Sequence, residues 1–238
     1  MERVIGVNPV LEVLNNREKT IEKLEVYKGV RGEILQKIQR LASERNVKIF
    51  YTNKKVENSQ GFCIFLTDYD YYQDFDEFLE HMAGRSQSIL LMLDEIQDPR
   101  NFGALIRSAE VFGVDGILIP ERNSVRINET VIKTSTGAIE YVPIIKVTNL
   151  SNAIEKLKKI DYWVYGAAGE AELSCQEEQY PKKVVLILGN EGTGLRKKVR
   201  EHCDKLIKIQ MRGKINSLNV SVAGGILLSE IAKFQKWK

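Results

Sequence analysis

The chain has 238 residues, 43% of them hydrophobic and 28% charged, with a net charge of +3; this is the composition of a globular protein long enough to bury a real core in one large domain or two. No apolar run reaches membrane-span length, and the opening MERVIGVNPVLEVL lacks the basic-then-apolar order of a secretory leader. Cys63, Cys175 and Cys203 are scattered and odd in number, and only His81 and His202 accompany them, so neither a disulfide framework nor a metal site is expected and the expected compartment is the cytoplasm.

In chain order, the pattern predicts a short helix over Pro9–Asn15, a strand in IEKLEVYKG and an amphipathic helix over Ile34–Arg45 with Ile34, Ile38 and Leu41 on one face. Strands follow in VKIFYT and GFCIFLTDY. The acidic, aromatic stretch DYDYYQDFDEFLEHMAGRSQS ends in polar residues and contains Gly84. It marks a boundary, giving a small α/β domain over 1–74, a linker over 75–87 and a second domain over 88–238.

From Ile89 the period is regular: strand ILLMLDE, helix Phe102 to Phe112, strand GILIP, a helix near Glu129, strand VPIIKV, and helix Ala153 to Lys159. Strands YWVYGA and VVLILG, a short helix, strand LIKIQ and a last helix Val220 to Phe234 complete it. Strands alternating with helices predict a mostly parallel sheet covered on both faces. Ligands of such sheets sit at the carboxyl ends of the strands, where three polar clusters fall.

The first cluster is DEIQDPRNFGALIRSAE, in which Asn101 suits a helix cap and Arg107, among Leu105, Ile106 and Ala109, is expected close to the sheet, positioned to meet a carboxylate or phosphate. The second is LILGNEGTGLRKK. Gly189 and Gly194 have the spacing of a phosphate loop, but Leu195 stands where its lysine belongs, and Lys197 occupies the third glycine of a dinucleotide fingerprint. Glu191 can satisfy the N–H groups of its turn or hold Arg107 or a substrate hydroxyl; Arg196 to Lys198 read as a solvated helix face or a phosphate contact. The third is IQMRGKINSLNVSVAGG, where Ser217 or Asn219 can cap the last helix and Ala223, Gly224 and Gly225 allow close approach to a ligand or a helix.

Together, DPRNFGALIRSAE, LILGNEGTGL and IQMRGKINSLNVSVAGG resemble the SpoU-type (TrmH-like) RNA ribose 2′-O-methyltransferases of the SPOUT superfamily, over about Leu93 to Ile231. VIGVNPVLEVL and SQGF resemble the small RNA-binding domain that precedes the catalytic domain in one branch, although that branch often has histidine where Ser59 stands.

The resemblance implies an α/β domain with a carboxyl-terminal trefoil knot and S-adenosyl-L-methionine as methyl donor, with no metal. Gly189, Ile209 and Leu218 match donor-binding positions; Asn101, Arg107, Glu191, Ser217 and Asn219 match active-site positions. It also implies a homodimer, with Ile226, Leu227, Leu228 and Ile231 of the last helix in the contact, and no membrane partner. The implied substrate is a guanosine of large-subunit (23S) ribosomal RNA, with transfer RNA as the alternative. A non-catalytic RNA-binding assembly factor is the reading from another class, and failure to bind S-adenosyl-L-methionine distinguishes it. Since a guanidinium stays protonated, Arg107 is expected to clamp a phosphate and stabilise charge at the 2′-oxygen, oriented by Asn101 and Glu191.

Overall fold

The computed structural model describes residues 2–17, 19–54, 56–66, 71–215 and 217–235. The first unit is a four-stranded sheet of β1 (Glu2–Ile5), β2 (Ile21–Tyr27), β3 (Ile49–Thr52) and β4 (Phe62–Leu66), ordered β1-β4-β2-β3. Helices α1 (Val7–Asn15) and α2 (Glu33–Glu44) pack on it, and β4 runs antiparallel to both its neighbours. The expected helices and strands of this region are present; residues 67–69 of the expected GFCIFLTDY strand lie outside the described residues. β1 was not expected.

The second unit is an eight-stranded sheet whose ladders are all parallel, ordered β10-β12-β9-β11-β6-β7-β8-β5. Its strands are β5 (Tyr72–Gln73), β6 (Ser88–Asp94), β7 (Gly116–Pro120), β8 (Ile144–Val147), β9 (Trp163–Ala167), β10 (Leu173–Ser174), β11 (Lys183–Gly189) and β12 (Lys205–Lys208). Every residue of β6 and β7 is buried, which is why those strands read as continuous apolar runs. Alternate residues serve opposite faces. Leu91, Leu93, Ile117 and Leu186 meet α4 (Pro99–Val111), α5 (Glu129–Thr134) and α8 (Val220–Ala232) on one side. Leu90, Met92, Leu118 and Ile187 meet α3 (Phe75–Ala83), α6 (Leu150–Lys158) and α7 (Lys197–Glu201) on the other.

Several expectations need correcting. The stretch expected as a linker contains α3, capped by Asp74 and anchored by buried Phe78 and Met82, and β5 just before it pairs with β8 in the large sheet. Neither β5 nor β10 was expected. The core on the α4 side continues into the first unit, with Leu14, Leu24 and Ile64 in the same cluster as Phe102 and Ile132. Polar ties cross the same junction: Lys19 to Glu140, Arg3 to Glu129, and the Tyr141 hydroxyl to Glu12.

Candidate active site

Because the large sheet is parallel, the loops after β6, β9, β11 and β12 open at one edge. β6 ends on Asp94, a carboxylate with no solvent exposure. A buried charge is stable only when paired. Asp94 accepts the backbone N–H of Arg196 at 2.9 Å and its Nε at 2.7 Å, fastening the loop after β11 to the end of β6. Glu95 then takes a left-handed conformation at φ 61°, and its carbonyl accepts Asn190 Nδ2 at 3.0 Å. The loop closes on itself through paired backbone bonds between Asn190 and Gly194, with Asn190 Oδ1 accepting the Gly192 N–H at 2.9 Å. The turn's N–H group is therefore satisfied by Asn190, which leaves the Glu191 carboxylate outside the turn.

Gly189 is demanded by this closure: a Cβ there would stand 2.3 Å from the carbonyl carbon of Gly194 and 2.4 Å from the nitrogen of Leu195. Gly224 has the same logic on α8, where a Cβ would meet Leu105 at 2.4 Å and Leu188 at 2.8 Å. Of the small residues after Asn219, Gly224 thus serves helix packing, while Ala223 lies in the wall of a neighbouring cleft.

Asp98, rather than Asn101, caps α4, accepting from the N–H groups of Arg100 and Asn101 at 2.6 and 3.0 Å. Asn101 is freed to project from the first turn. Its Nδ2 donates to Glu191, and its Oδ1 accepts Asn219 Nδ2 at 3.0 Å. Asn219 in turn caps α8, its Oδ1 accepting the Ser221 N–H and hydroxyl at 2.9 and 2.6 Å. One residue from each of the three sequence clusters therefore joins a single hydrogen-bonded chain, Asn219 to Asn101 to Glu191.

Beside it lies a cleft of about 190 Å³ that includes Gly189, Glu191, Ile209, Ser217, Leu218 and Leu227 in its wall. All three expected donor-binding positions face it. Its lining is mostly apolar side chains and main chain, with one acidic group, Glu191, and one basic group, Lys208, which suits the largely apolar body of an adenosine-bearing donor. Leu218 is 42% exposed, so the cleft's outer wall is open to solvent.

Arg107 stands apart. The inner face of α4 is Phe102, Leu105, Ile106 and Ala109; Arg107 is exposed and makes no hydrogen bond or ion pair among the described residues. It lies six residues beyond Asn101, roughly 9 Å along the helix at about 1.5 Å per residue. The expectation that it packs close to the sheet is not met, because the small neighbours that suggested it are themselves the buried face. Arg196 is likewise no merely solvated residue: it is the clamp on Asp94 and also lies 3.4 Å from Glu95. Asp94, Asp98 and Asn190 were missed, although a charge closing a wholly apolar strand was a readable sign at Asp94. Among the described residues no three His, Cys, Asp or Glu side chains are grouped to hold a metal, and no helix is long and apolar enough to cross a membrane.

The model of the SpoU rRNA Methylase family matches residues 88–229, and that for RNA 2'-O ribose methyltransferase substrate binding matches residues 3–72. The chain is 37% identical over 238 residues to a 23S rRNA (guanosine-2'-O-)-methyltransferase of Xylella fastidiosa, covering 97% of this chain and 95% of that protein. It is 36% identical over 234 residues to a TrmH family tRNA/rRNA methyltransferase of Bacillus subtilis, covering 96% and 94%. An AdoMet-bound rRNA methyltransferase structure from Sinorhizobium meliloti matches the fold with a TM-score of 0.79 at 21% identity, over 98% of this chain and 87% of that one. The chain belongs to the SpoU rRNA methylase family and is an RNA methyltransferase.

Proposed function

We propose that this protein transfers a methyl group from S-adenosyl-L-methionine to the ribose 2′-hydroxyl of a guanosine in 23S ribosomal RNA. The observation that carries the reading is the Asn219–Asn101–Glu191 chain at the mouth of the apolar cleft. The Xylella relative's name supports the ribosomal substrate. Transfer RNA is the second reading, favoured by the name of the Bacillus relative.

The donor supplies an electrophilic methyl carried on a sulfonium. Main chain at Gly189, Ile209 and Leu218 holds it, with Ser217 at the same wall. Asn101 fixes Glu191 through one carboxylate oxygen, leaving the other to accept a hydrogen bond from the 2′-hydroxyl, orient its lone pair and take up its proton as the methyl group arrives. Orientation of this kind supplies much of the rate of a displacement. Arg107, permanently charged, clamps a neighbouring phosphate and stabilises charge developing on the 2′-oxygen.

The site works in a homodimer in this reading. Of Ile226, Leu227, Leu228 and Ile231, first expected in the contact, the last three are buried in the chain's own core and Ile226 is half-buried; exposed Val222 of α8 and Val111 of α4, the helix that carries Arg107, support a contact on that face. A carboxyl-terminal trefoil knot belongs to the same reading; the insertion of β12 between the earlier β9 and β10 supports it. Residues 1–74 present the RNA, and the three unpaired cysteines suit the cytoplasm. Incubation with labelled donor and either deproteinised 23S ribosomal RNA or bulk transfer RNA tests the choice of substrate: label in ribosomal RNA alone is expected, and label in transfer RNA alone overturns it.

A further inference from the structure

The active-site loops occupy only part of the carboxyl edge of the large sheet. Further along, past the ends of β7 and β8, lies a second and larger cleft of about 430 Å³, which includes Arg122, Asn149, Ser151, Arg196, Lys197 and Lys198 in its wall. Its charges divide into two kinds. Arg196 is consumed by Asp94 and Glu95. Lys197 is 90% exposed and only 4.0 Å from Glu201, while Arg122 and Lys198 are exposed with no hydrogen-bond or ion-pair partner among the described residues. Arg122 and Lys198 therefore line one concave surface without a carboxylate committed to them, and Lys197 adds a third cation whose 4.0 Å pair with Glu201 is solvent-exposed.

This cleft is mechanically part of the same edge. Asn123, in its wall, donates to the Glu95 carboxylate at 3.3 Å, and the Glu95 carbonyl receives Asn190 of the active-site loop. Asn123 adopts φ 58° to do so. Arg196 belongs to both: its amide and Nε hold Asp94 beneath the active-site loop while the two residues after it face the basic cleft. β8 is two strands from β6, roughly 10 Å at about 4.8 Å per strand, so the basic cleft lies beside the ribose site on the same edge. Unpaired lysine and arginine beside hydroxyl and amide side chains suit phosphodiester oxygens, which fix register without reading base identity.

The geometry points to a phosphate track: Arg122, Lys197 and Lys198 bind the backbone of the substrate RNA strand adjoining the ribose held at Asn101 and Glu191. This rests on the proposed RNA 2′-O-methyl transfer and adds to it the direction in which the strand leaves the site, along the carboxyl edge towards β8. The residues are positioning groups; none of them reaches the reacting atoms.

The test compares wild type with Arg122→Ala/Lys197→Ala/Lys198→Ala and with the charge-preserving Arg122→Lys/Lys197→Arg/Lys198→Arg, using transcribed 23S ribosomal RNA. Each phosphate contact to single-stranded RNA contributes about 0.7 to the slope of log affinity against log salt, so the alanine variant loses about 2 from that slope. Its KM for RNA rises at least tenfold with kcat within about threefold, binding of S-adenosyl-L-methionine is unchanged, and the charge-preserving variant keeps the wild-type slope. In wild type, bound RNA protects Lys197 and Lys198 from amine acetylation, a readout independent of how the variants fold. An unchanged slope in the alanine variant, or lysines acetylated equally with and without RNA while wild type still methylates, overturns the track alone. A wild-type protein that binds S-adenosyl-L-methionine but methylates no RNA overturns the reading beneath it.

Discussion

Asn219 and Asn101 lie 118 residues apart in sequence and share a 3.0 Å hydrogen bond between the cap of α8 and the first turn of α4. That bond, continued from Asn101 to Glu191, turns three loops of a parallel sheet into one polar site. Replacing Asn101 with Ala removes both contacts. We expect kcat to fall about 100-fold, the scale of losing one fixed polar group at a site of developing charge. Donor affinity, measured by calorimetry, should stay within a few-fold, because Asn101 is not among the residues in the cleft wall.

Arg107 offers the opposite separation of stability from activity. Its side chain is exposed and unpartnered among the described residues, so Arg107→Ala should change unfolding free energy by no more than about 0.5 kcal/mol. Methyl transfer should nevertheless fall by at least 100-fold, on the scale of a lost charge contact at the reacting oxygen. Arg107→Lys should recover only part of the rate, since an ammonium lacks the planar fork that grips a phosphate. Full turnover in Arg107→Lys contradicts the clamp.

The Asp94–Arg196 pair should matter chiefly to stability. Arg196→Ala leaves a wholly buried carboxylate with one backbone N–H, at a cost of about 3 kcal/mol, the lower end for breaking a buried pair because that N–H remains. Urea unfolding should show it. Arg196→Ala should also lower donor affinity, because the loop bearing Gly189 and Glu191 loses its anchor.

The junction between the two units contains a second buried pair, Lys19 and Glu140, with side chains 0% and 2% exposed. Burial pushes the Glu140 carboxyl above its usual range while Lys19 pulls it down. Lys19→Met alone should cost about 3–5 kcal/mol, whereas Lys19→Met with Glu140→Leu should recover most of it, because an apolar pair needs no desolvation. A double variant no better than the single one contradicts the assignment of that cost to a stranded charge.

Alkali should destabilise the fold. Burial pushes the thiols of Cys63 and Cys203 and the hydroxyl of Tyr162 up to about 12. A hydrogen bond to Glu12, aided by burial, raises Tyr141 to about 12. All four release protons more readily when unfolded, so their stabilising contribution is intact below about pH 8.5 and is lost as pH rises towards 12. Thermal melts from pH 8 to 11 should fall steadily. In the native protein at pH 8, Cys63 and Cys203 should resist alkylation that proceeds at once in urea.

The alternation of strand and helix from Ile89 was legible because buried parallel strands are apolar runs and their helices are amphipathic. What escaped were elements too short or too charged to carry a period. β5 and β10 span two residues each, and α3 hides Phe78 and Met82 among acids that read as a loop. The strand-end clusters put the polar residues forward, but their meeting in one site and the donor-binding positions came from resemblance, since no spacing brings Asn101 to Glu191 across ninety residues. The surroundings of Arg107 were misjudged because small neighbours mark the buried face of a helix without saying which side a long cation takes.

The most direct test is methyl transfer from labelled S-adenosyl-L-methionine to transcribed 23S ribosomal RNA, followed by alkaline hydrolysis, to which a 2′-O-methylated linkage is resistant. Label is expected in one alkali-resistant, guanosine-containing dinucleotide, lost in Asn101→Ala and in Arg107→Ala. Label released as methylated base, or label retained at full rate in both variants, contradicts 2′-O-methyl transfer at this site.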